Sequence, residues 1–404
     1  MASGSHSNTD NTDDSGVRYF PYRVTRSQSR QSSQQSSRQS SQQSSRQSSQ
    51  LISQPSDSSQ LSSLSSQLTL QPTREKRLHL SSAAINSARE KLLTFQKARE
   101  EGEEVEEEEE EGYTGSREIV IKENVSLEKY LQYRENNAIS SVRMYLYNGY
   151  IKIYEVPSFA HSAAIGRITG LMNRWNDQDL EYGTDATMIL GQNAAKEPDS
   201  WVRPAHRPDP PAGSGQGAND KDIAYPTMMI EVGFSQSLPD LHRTAALYFN
   251  PRTTIQIVLA IKIFGERVDP NTNTSTVALI AALYLRTSAT PLIPTSVISF
   301  GTANPDTNTV NYIINQMGVP PGSFIGVGRP DPNNNNNNFP PCNAANLPVY
   351  QMNIPGPELF NGVPAHLLPA GFPIAPNTPP AGFAAGFNLD LWEVQRTIRR
   401  NLCM

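Results

Sequence analysis

The sequence predicts one α/β (or α+β) domain, in which helices flank a mixed β-sheet, between long N- and C-terminal regions without a core. Strand-like apolar segments alternate with amphipathic helices between residues 117 and 302, which is typical of a mixed sheet covered by helices. Only 37% of the 404 residues are hydrophobic and the mean hydropathy is −0.50, so the chain has too few apolar residues for a core along its whole length. We therefore expect disordered flanks.

The composition of the flanks sets the domain boundaries. Residues 1–81 form a Ser/Gln/Arg-rich arm in which the unit SRQSSQQS recurs, and such a segment buries too little surface to offset its chain entropy. Residues 82–116 combine a charged amphipathic helix with an acidic linker. Residues 303–404 are rich in Pro, Asn and Gly and are predicted to be a largely disordered tail with a short basic helix over 389–402.

Within residues 117–302 the hairpin is the clearest local signal. Asn148-Gly149 lies between two β-prone segments and favours a type I′ turn, because both residues accept a positive φ. The pattern of apolar residues predicts further strands at 119–121, 187–190, 228–232, 255–264, 277–285 and 297–300, and helices at 126–135, 161–175 and 238–249.

The composition also excludes several classes of protein. No segment approaches the roughly 20 apolar residues of a membrane helix, and the N-terminus lacks the apolar region of a secretory signal. We therefore expect an intracellular protein, cytoplasmic or nuclear, with no membrane partner. Cys342 and Cys403 provide neither a disulfide framework nor a zinc site. The net charge of −5 does not by itself indicate a nucleic-acid-binding protein.

Two acidic residues are candidates for a metal site. Asp199 follows Pro198 where the chain leaves a strand, and Glu231 lies inside the apolar strand 228–232. Burying a carboxylate there is costly unless something neutralises it. Mg²⁺ binds one or two carboxylates, leaves positions open for phosphate oxygens and polarises a phosphodiester for hydrolysis. The alternatives are that Glu231 pairs with an arginine such as Arg243, or that its strand is a solvent-facing edge.

A series of short motifs follows in a characteristic order: Asn148-Gly149, His161 opening a helix that ends at Trp175, Gly183-Thr184, Pro198-Asp199, Ile230-Glu231-Val232, Ser235, Ser237, Asp240 and Tyr248. This order resembles the Uma-type restriction endonuclease family, a branch of the PD-(D/E)XK nuclease superfamily. The likeness runs from the helix that Ser126 opens to about Thr302, so it covers under half of the chain.

The resemblance implies a restriction-endonuclease-like fold with a four-stranded mixed sheet and a metal site at one end of the sheet. It implies a metal-dependent endonuclease that uses Mg²⁺ or Mn²⁺ to hydrolyse nucleic acid, with DNA as the expected substrate. By this resemblance Asp199 and Glu231 are the metal ligands and the Val232 carbonyl is a candidate third ligand. His161 is either a capping or core histidine or a residue near the phosphate.

The sequence departs from the family at the catalytic lysine. Gly233 stands two residues after the glutamate, where the superfamily has lysine, and Thr244 stands where Uma-type relatives have it. Lys262 and Arg243 are the candidates to supply the missing positive charge.

Three functional classes remain open on the sequence. The first is the metal-dependent endonuclease, and the second is a catalytically inactive nuclease-fold domain that binds nucleic acid or protein, as the missing lysine would allow. The third is an interaction protein whose tails bind protein partners. Homodimerisation is compatible with all three.

Overall fold

The computed structural model describes residues 77–100, 117–137, 141–268, 273–334, 337–376 and 378–402. The predicted repeats in the N-terminal arm and the acidic run 103–111 lie outside the described residues. The helices are α1 (Ser82–Glu100), α2 (Leu127–Asn136), α3 (Phe159–Trp175), α4 (Leu238–Tyr248), α5 (Thr307–Asn311), α6 (Gly356–Leu359) and α7 (Leu391–Leu402). Among the described helices, none has both the length and the apolar character needed to cross a bilayer.

A smaller sheet carries the predicted hairpin. Its strands are β1 (Ile119–Lys122), β2 (Arg143–Tyr147), β3 (Tyr150–Glu155), β5 (Met188–Gly191) and β6 (Ala194–Lys196), in the order β1-β3-β2-β6-β5. Asn148 and Gly149 have φ values of +50° and +83°, as a type I′ turn requires. One face of this sheet packs with α1 and α2 in a core that contains Leu92 and Tyr130.

The central sheet has seven strands and is mixed. Its strands are β4 (Leu180–Gly183), β7 (Ser200–Pro204), β8 (Met228–Gly233), β9 (Ile257–Ile263), β12 (Leu279–Leu285), β13 (Ser296–Ser299) and β14 (Phe324–Gly326), in the order β14-β13-β12-β9-β8-β7-β4. β8 and β9 are parallel, as are β13 and β14, and the other neighbours are antiparallel. The predicted mixed sheet flanked by helices is confirmed, and it is wider than the four strands that the resemblance implies.

Both faces of the central sheet are buried, which explains the uniformly apolar strands β8 and β9. One face packs against α3 and α7 through residues such as Ile230 and Leu259. The other face packs against α4 through residues such as Met229 and Val258. Two hairpins complete the fold: β10 (Arg267–Val268) with β11 (Ser275–Thr276), and β15 (Gln351–Ile354) with β16 (Phe387–Asp390).

The C-terminal region differs from the largely disordered tail expected for 303–404, so that expectation is corrected for the described residues. β14 extends the central sheet, and α7 packs along α3 with Leu391, Val394 and Ile398 in the main core. These three residues recur at helical spacing, so they form one apolar face of α7. The abundant Pro, Asn and Gly residues belong to the turns that connect short elements.

The packing of α7 predicts that Ile398→Ala destabilises the whole domain. Ile398 is completely buried, so truncation leaves a cavity and should lower the free energy of unfolding by about 2–5 kcal/mol. The adjacent, exposed Arg399→Ala is the control and should change it by less than about 0.5 kcal/mol. Urea unfolding measures both variants, and equal stability of the two would show that α7 does not belong to the core.

Candidate active site

Strand register brings Asp199 and Glu231 together. β7 runs antiparallel to β8, with Ser200 opposite Ile230. Asp199 immediately precedes β7, and Glu231 immediately follows Ile230, so the two residues flank the same strand pair. The charge of Asp199 raises the pKa of Glu231, which shows that the two carboxylates are close enough to interact. Both are buried, with exposed fractions of 2% for Asp199 and 0% for Glu231.

Asp199 is held by main-chain and cationic partners. Its Oδ2 accepts a hydrogen bond of 2.8 Å from the Val232 amide and lies 3.2 Å from Nε2 of His161. Its Oδ1 lies 3.5 Å from Nε of Arg143 but accepts no hydrogen bond from any residue that the structure describes. Burial opposes ionisation of Asp199, but the charges of His161 and Arg143 and the amide hydrogen bond outweigh it, so the pKa is lowered.

His161 is a buried histidine at the beginning of α3. It lies in the first turn of α3, where its amide donates to the Ser158 hydroxyl that caps the helix. Its ring is buried against Asp199. Burial disfavours the protonated ring, yet the nearby Asp199 carboxylate prevails and raises the pKa of His161 above its ordinary value.

Glu231 is neutralised from inside the protein. Nζ of Lys196 lies 3.2 Å from Oε2 of Glu231, and the hydroxyl of Tyr248 donates to Oε1. Burial dominates and raises the pKa of Glu231 to about 7; Lys196 lowers it and the charge of Asp199 raises it further. Glu231 therefore takes up a proton at higher pH than an ordinary glutamate.

Lys196 comes from the smaller sheet. It ends β6, and residues 197–199 then carry the chain into β7 of the central sheet. The Lys196 side chain is 1% exposed, and its Nζ lies 3.7 Å from the centroid of the Tyr154 ring, a cation–π contact. Glu197 holds this connection between the two sheets in place, because it accepts a bidentate pair of hydrogen bonds from Arg134 of α2.

The two cations predicted from the sequence have other partners. Nζ of Lys262 donates to the main-chain carbonyls of Phe234 (2.8 Å) and Gln236 (2.5 Å). Arg243 pairs with Asp240 one turn before it on α4. Among the described residues, neither cation forms an ion pair with Asp199 or Glu231. Lys262 nevertheless originates beside the superfamily's lysine position, because the register pairs it with Gly233.

The cation that contacts Glu231 comes from β6, as Lys196, and not from α4, where Thr244 stands in place of the family's lysine. Thr244 is buried on α4, four residues before the Tyr248 that contacts Glu231, and its hydroxyl donates to the Asp240 carbonyl. No periodic pattern singles out Lys196. The signal that could have found it is its place three residues before Asp199, in the segment that carries the first carboxylate.

A further buried carboxylate positions the loop after β8. Glu155, at the end of β3, accepts hydrogen bonds from the amides of Phe234, Ser235 and Gln236 and from the Ser235 hydroxyl. These amides lie just before α4, so Glu155 fixes the loop that joins Glu231 to Tyr248.

The donor atoms suit a hard divalent cation in part. Within the described residues no group of three or more His, Cys, Asp or Glu side chains is placed to hold a metal ion. Mg²⁺ needs fewer protein ligands, and Oδ1 of Asp199 is a buried oxygen without a hydrogen-bond donor among those residues. The Val232 amide faces Asp199, and a strand residue directs its carbonyl to the same side. Both oxygens of Glu231 are engaged by Lys196 and Tyr248.

Part of this region is similar to a known protein family. The model of the Uma2 family, described as "Putative restriction endonuclease", matches residues 127–275. This match confirms the resemblance for that segment, which contains Asp199, Glu231 and Lys196. The crystal structure of a putative nuclease belonging to DUF820 from Anabaena variabilis shares 13% sequence identity at a TM-score of 0.29, and the alignment covers 46% of this chain and 90% of that chain. No curated protein matches the chain.

The raised pKa of Glu231 predicts a pH-dependent contribution to stability. Between its ordinary pKa of 4.5 and its folded pKa of about 7, the folded chain binds the proton more tightly than the unfolded chain. This contribution is therefore fully present below 4.5 and is lost as pH rises through 7. The glutamine of the Glu231→Gln variant cannot titrate. The decrease in the free energy of unfolding of this variant with rising pH should therefore be about 3 kcal/mol smaller than in the wild type.

Urea unfolding at about pH 5 and about pH 8 checks this expectation. Glu135→Gln, on the exposed surface of α2, is the matched control and should retain the wild-type pH dependence. Parallel stability curves for wild type and Glu231→Gln would contradict the assignment.

Proposed function

We propose that residues 117–302 form a metal-dependent endonuclease domain that hydrolyses phosphodiester bonds of nucleic acid, with DNA as the substrate. The observation that carries the proposal is the cluster of Asp199, Glu231 and Lys196 at one end of the central sheet. Two carboxylates and a lysine are the functional groups that the superfamily resemblance requires, and here the lysine is supplied by a different strand. The match of residues 127–275 to a nuclease family supports the same reaction class.

Each residue has a role that follows from its contacts. Asp199 and Glu231 would hold Mg²⁺ or Mn²⁺, which when bound polarises the phosphodiester and activates water. His161 keeps Asp199 ionised, and Tyr248 orients the Glu231 carboxylate. Lys196 balances the negative charge beside Glu231 and is positioned to stabilise charge that develops on the phosphate.

Arg143 is the cation of this group that reaches solvent. Its side chain is 20% exposed, while those of Lys196 and His161 are 1% exposed. A guanidinium at the surface of the centre is suited to bind a phosphate oxygen bidentately. In this proposal Arg143 orients the substrate from the surface, whereas Lys196 stabilises negative charge from a buried position beside Glu231.

A second candidate function is binding of nucleic acid without cleavage. The observation that favours it is that Lys196, His161 and Arg143 already surround the two carboxylates. A divalent cation must compete with these three cationic groups for the same oxygens. In this alternative Lys196 takes the neutralising role of the metal permanently, and the domain is a recognition module.

The first test is cleavage of supercoiled plasmid DNA in Mg²⁺ or Mn²⁺. Asp199→Ala and Glu231→Ala remove the proposed ligands and should each lower the cleavage rate by about 10³-fold or more. Asp177→Ala, an exposed carboxylate beyond the far end of α3, is the control and should cleave like wild type. Cleavage that survives both site substitutions would exclude this centre, and metal-independent binding without cleavage would select the second candidate.

The second test asks whether Lys196 is the missing lysine. Lys196→Met should lower the cleavage rate by about 10²–10⁴-fold at constant substrate affinity, because it removes charge stabilisation while it keeps side-chain volume. Adding Gly233→Lys should restore part of the rate. Gly233 shares the face of Glu231, and a Cβ there would meet its nearest atoms, on Gln236, at 3.4 Å, which is ordinary van der Waals contact.

The conservative comparison is Lys262→Met. It removes a lysine from the neighbouring strand whose hydrogen bonds go to loop carbonyls, so its main effect should be on stability. If Lys262→Met abolishes cleavage and Lys196→Met does not, Lys262 is the functional lysine.

A further inference from the structure

A groove with a basic wall lies beside the C-terminal helix. It has a volume of about 730 Å³ and separates the last turns of α7 from the segments that join β9 to β12 and follow β13. One wall carries Arg396, Arg399 and Arg400, and the opposite wall includes Glu266, Thr276 and Thr302. We call this feature the basic groove.

The basic groove and the carboxylate centre lie at the same end of the strands of the central sheet. Gly233, the last residue of β8, pairs with Lys262 near the end of β9, and Ile263 of β9 pairs with Leu279 at the start of β12. Glu266 and Thr276 of the groove lie just beyond these strand ends. Neighbouring strands are about 4.8 Å apart, and β12 is two strands from β8. The groove therefore begins roughly 10 Å from β8, measured across the strands.

The helices give the same placement independently. Trp175, at the end of α3, contacts Phe387 just before α7, and Arg167 in the middle of α3 pairs with Glu393 of α7. The two helices are therefore antiparallel. The last turn of α7, with its arginines, lies toward the beginning of α3, where His161 contacts Asp199.

The charge of the groove contrasts with that of the chain. The chain carries a net charge of −5, whereas the lining of the groove includes three arginines and one glutamate. Arg399 and Arg400 are exposed and form no ion pair with any described residue, while Arg396 pairs with Glu393. Exposed guanidinium groups without carboxylate partners are suited to phosphate oxygens.

A buried polar atom in the groove also lacks a partner. Gln395 is 4% exposed and its Nε2 donates to the Cys342 carbonyl, but its Oε1 accepts no hydrogen bond from the described residues. A ligand of this groove should therefore supply anionic groups for the arginines and a hydrogen-bond donor for Gln395. A nucleotide carries both, as a phosphate and as a base amino or sugar hydroxyl group.

We propose that the basic groove binds the phosphate backbone of the nucleic-acid strand that reaches the Asp199–Glu231 centre. This inference rests on the proposed function and adds the surface that holds the substrate. At about 3.4 Å per nucleotide step, the separation of roughly 10 Å between β8 and the groove corresponds to about three nucleotides. The C-terminal helix is thus a substrate-binding element of the nuclease domain.

The experiment measures binding of the full-length chain to a fluorescein-labelled DNA duplex of about 20 base pairs by fluorescence anisotropy, in EDTA and at several salt concentrations. Arg399→Glu/Arg400→Glu should raise Kd at least about 10-fold and lower the salt-dependence slope by about 2, because two phosphate contacts are lost. Lys91→Glu/Arg174→Glu changes the net charge equally on exposed positions outside the groove and should stay within about 2-fold of wild type.

Each outcome bears on the groove separately from cleavage. Equal Kd values and salt slopes for the two double variants would overturn the proposal. Equal far-ultraviolet circular dichroism and unfolding midpoints show that both variants are folded. Binding that depends on Arg399 and Arg400 in a protein that never cleaves would support the groove and overturn the hydrolytic function. Normal cleavage with unchanged Kd in Arg399→Glu/Arg400→Glu would support the hydrolytic function and overturn the role of the groove.

Discussion

The buried ion pair between Glu231 and Lys196 is the constraint on which the site depends. Glu231 occupies an interior strand whose other residues are apolar, so an unpaired carboxylate there would cost several kcal/mol (about 3–5). Its partner belongs to the other sheet, because Lys196 ends β6. The two sheets therefore meet where this charge is neutralised.

The same seam contains other buried charges, and each is satisfied across it. Glu155 of the smaller sheet accepts hydrogen bonds from the loop after β8, and Glu197 is held by Arg134. Asp199 faces His161 of α3 and the Val232 amide. Because a buried charge that loses its partner is strongly destabilising, these contacts together restrict how the sheets can be arranged. The carboxylates of the centre are consequently held by partners from both sheets and from α3.

This arrangement connects stability with chemistry. The carboxylates are neutralised by Lys196, His161 and Arg143, and Arg143 is the most exposed of these three cations. In the proposed function the same groups are the ones that a phosphodiester would contact. The C-terminal region adds β14 to the central sheet, and α7 lines the basic groove with three arginines. Residues beyond the segment that matches the Uma2 family therefore belong to the same sheet and core.

The sequence by itself determined the helices and most of the strands of residues 117–302, and it singled out the two carboxylates, but it did not predict β4, β6 or β7. The Asn148-Gly149 turn, the apolar strands and the periodicity of α3 and α4 are local signals, and a carboxylate in an apolar strand is visible in one dimension. Only the tertiary structure decided which cation serves Glu231. Lys196 and Glu231 are 35 residues apart on strands of different sheets, so their contact depends on registers that no local pattern encodes. The Pro- and Asn-rich C-terminal region likewise joins the core because α3 and the sheet provide an apolar surface for α7, which composition alone cannot reveal.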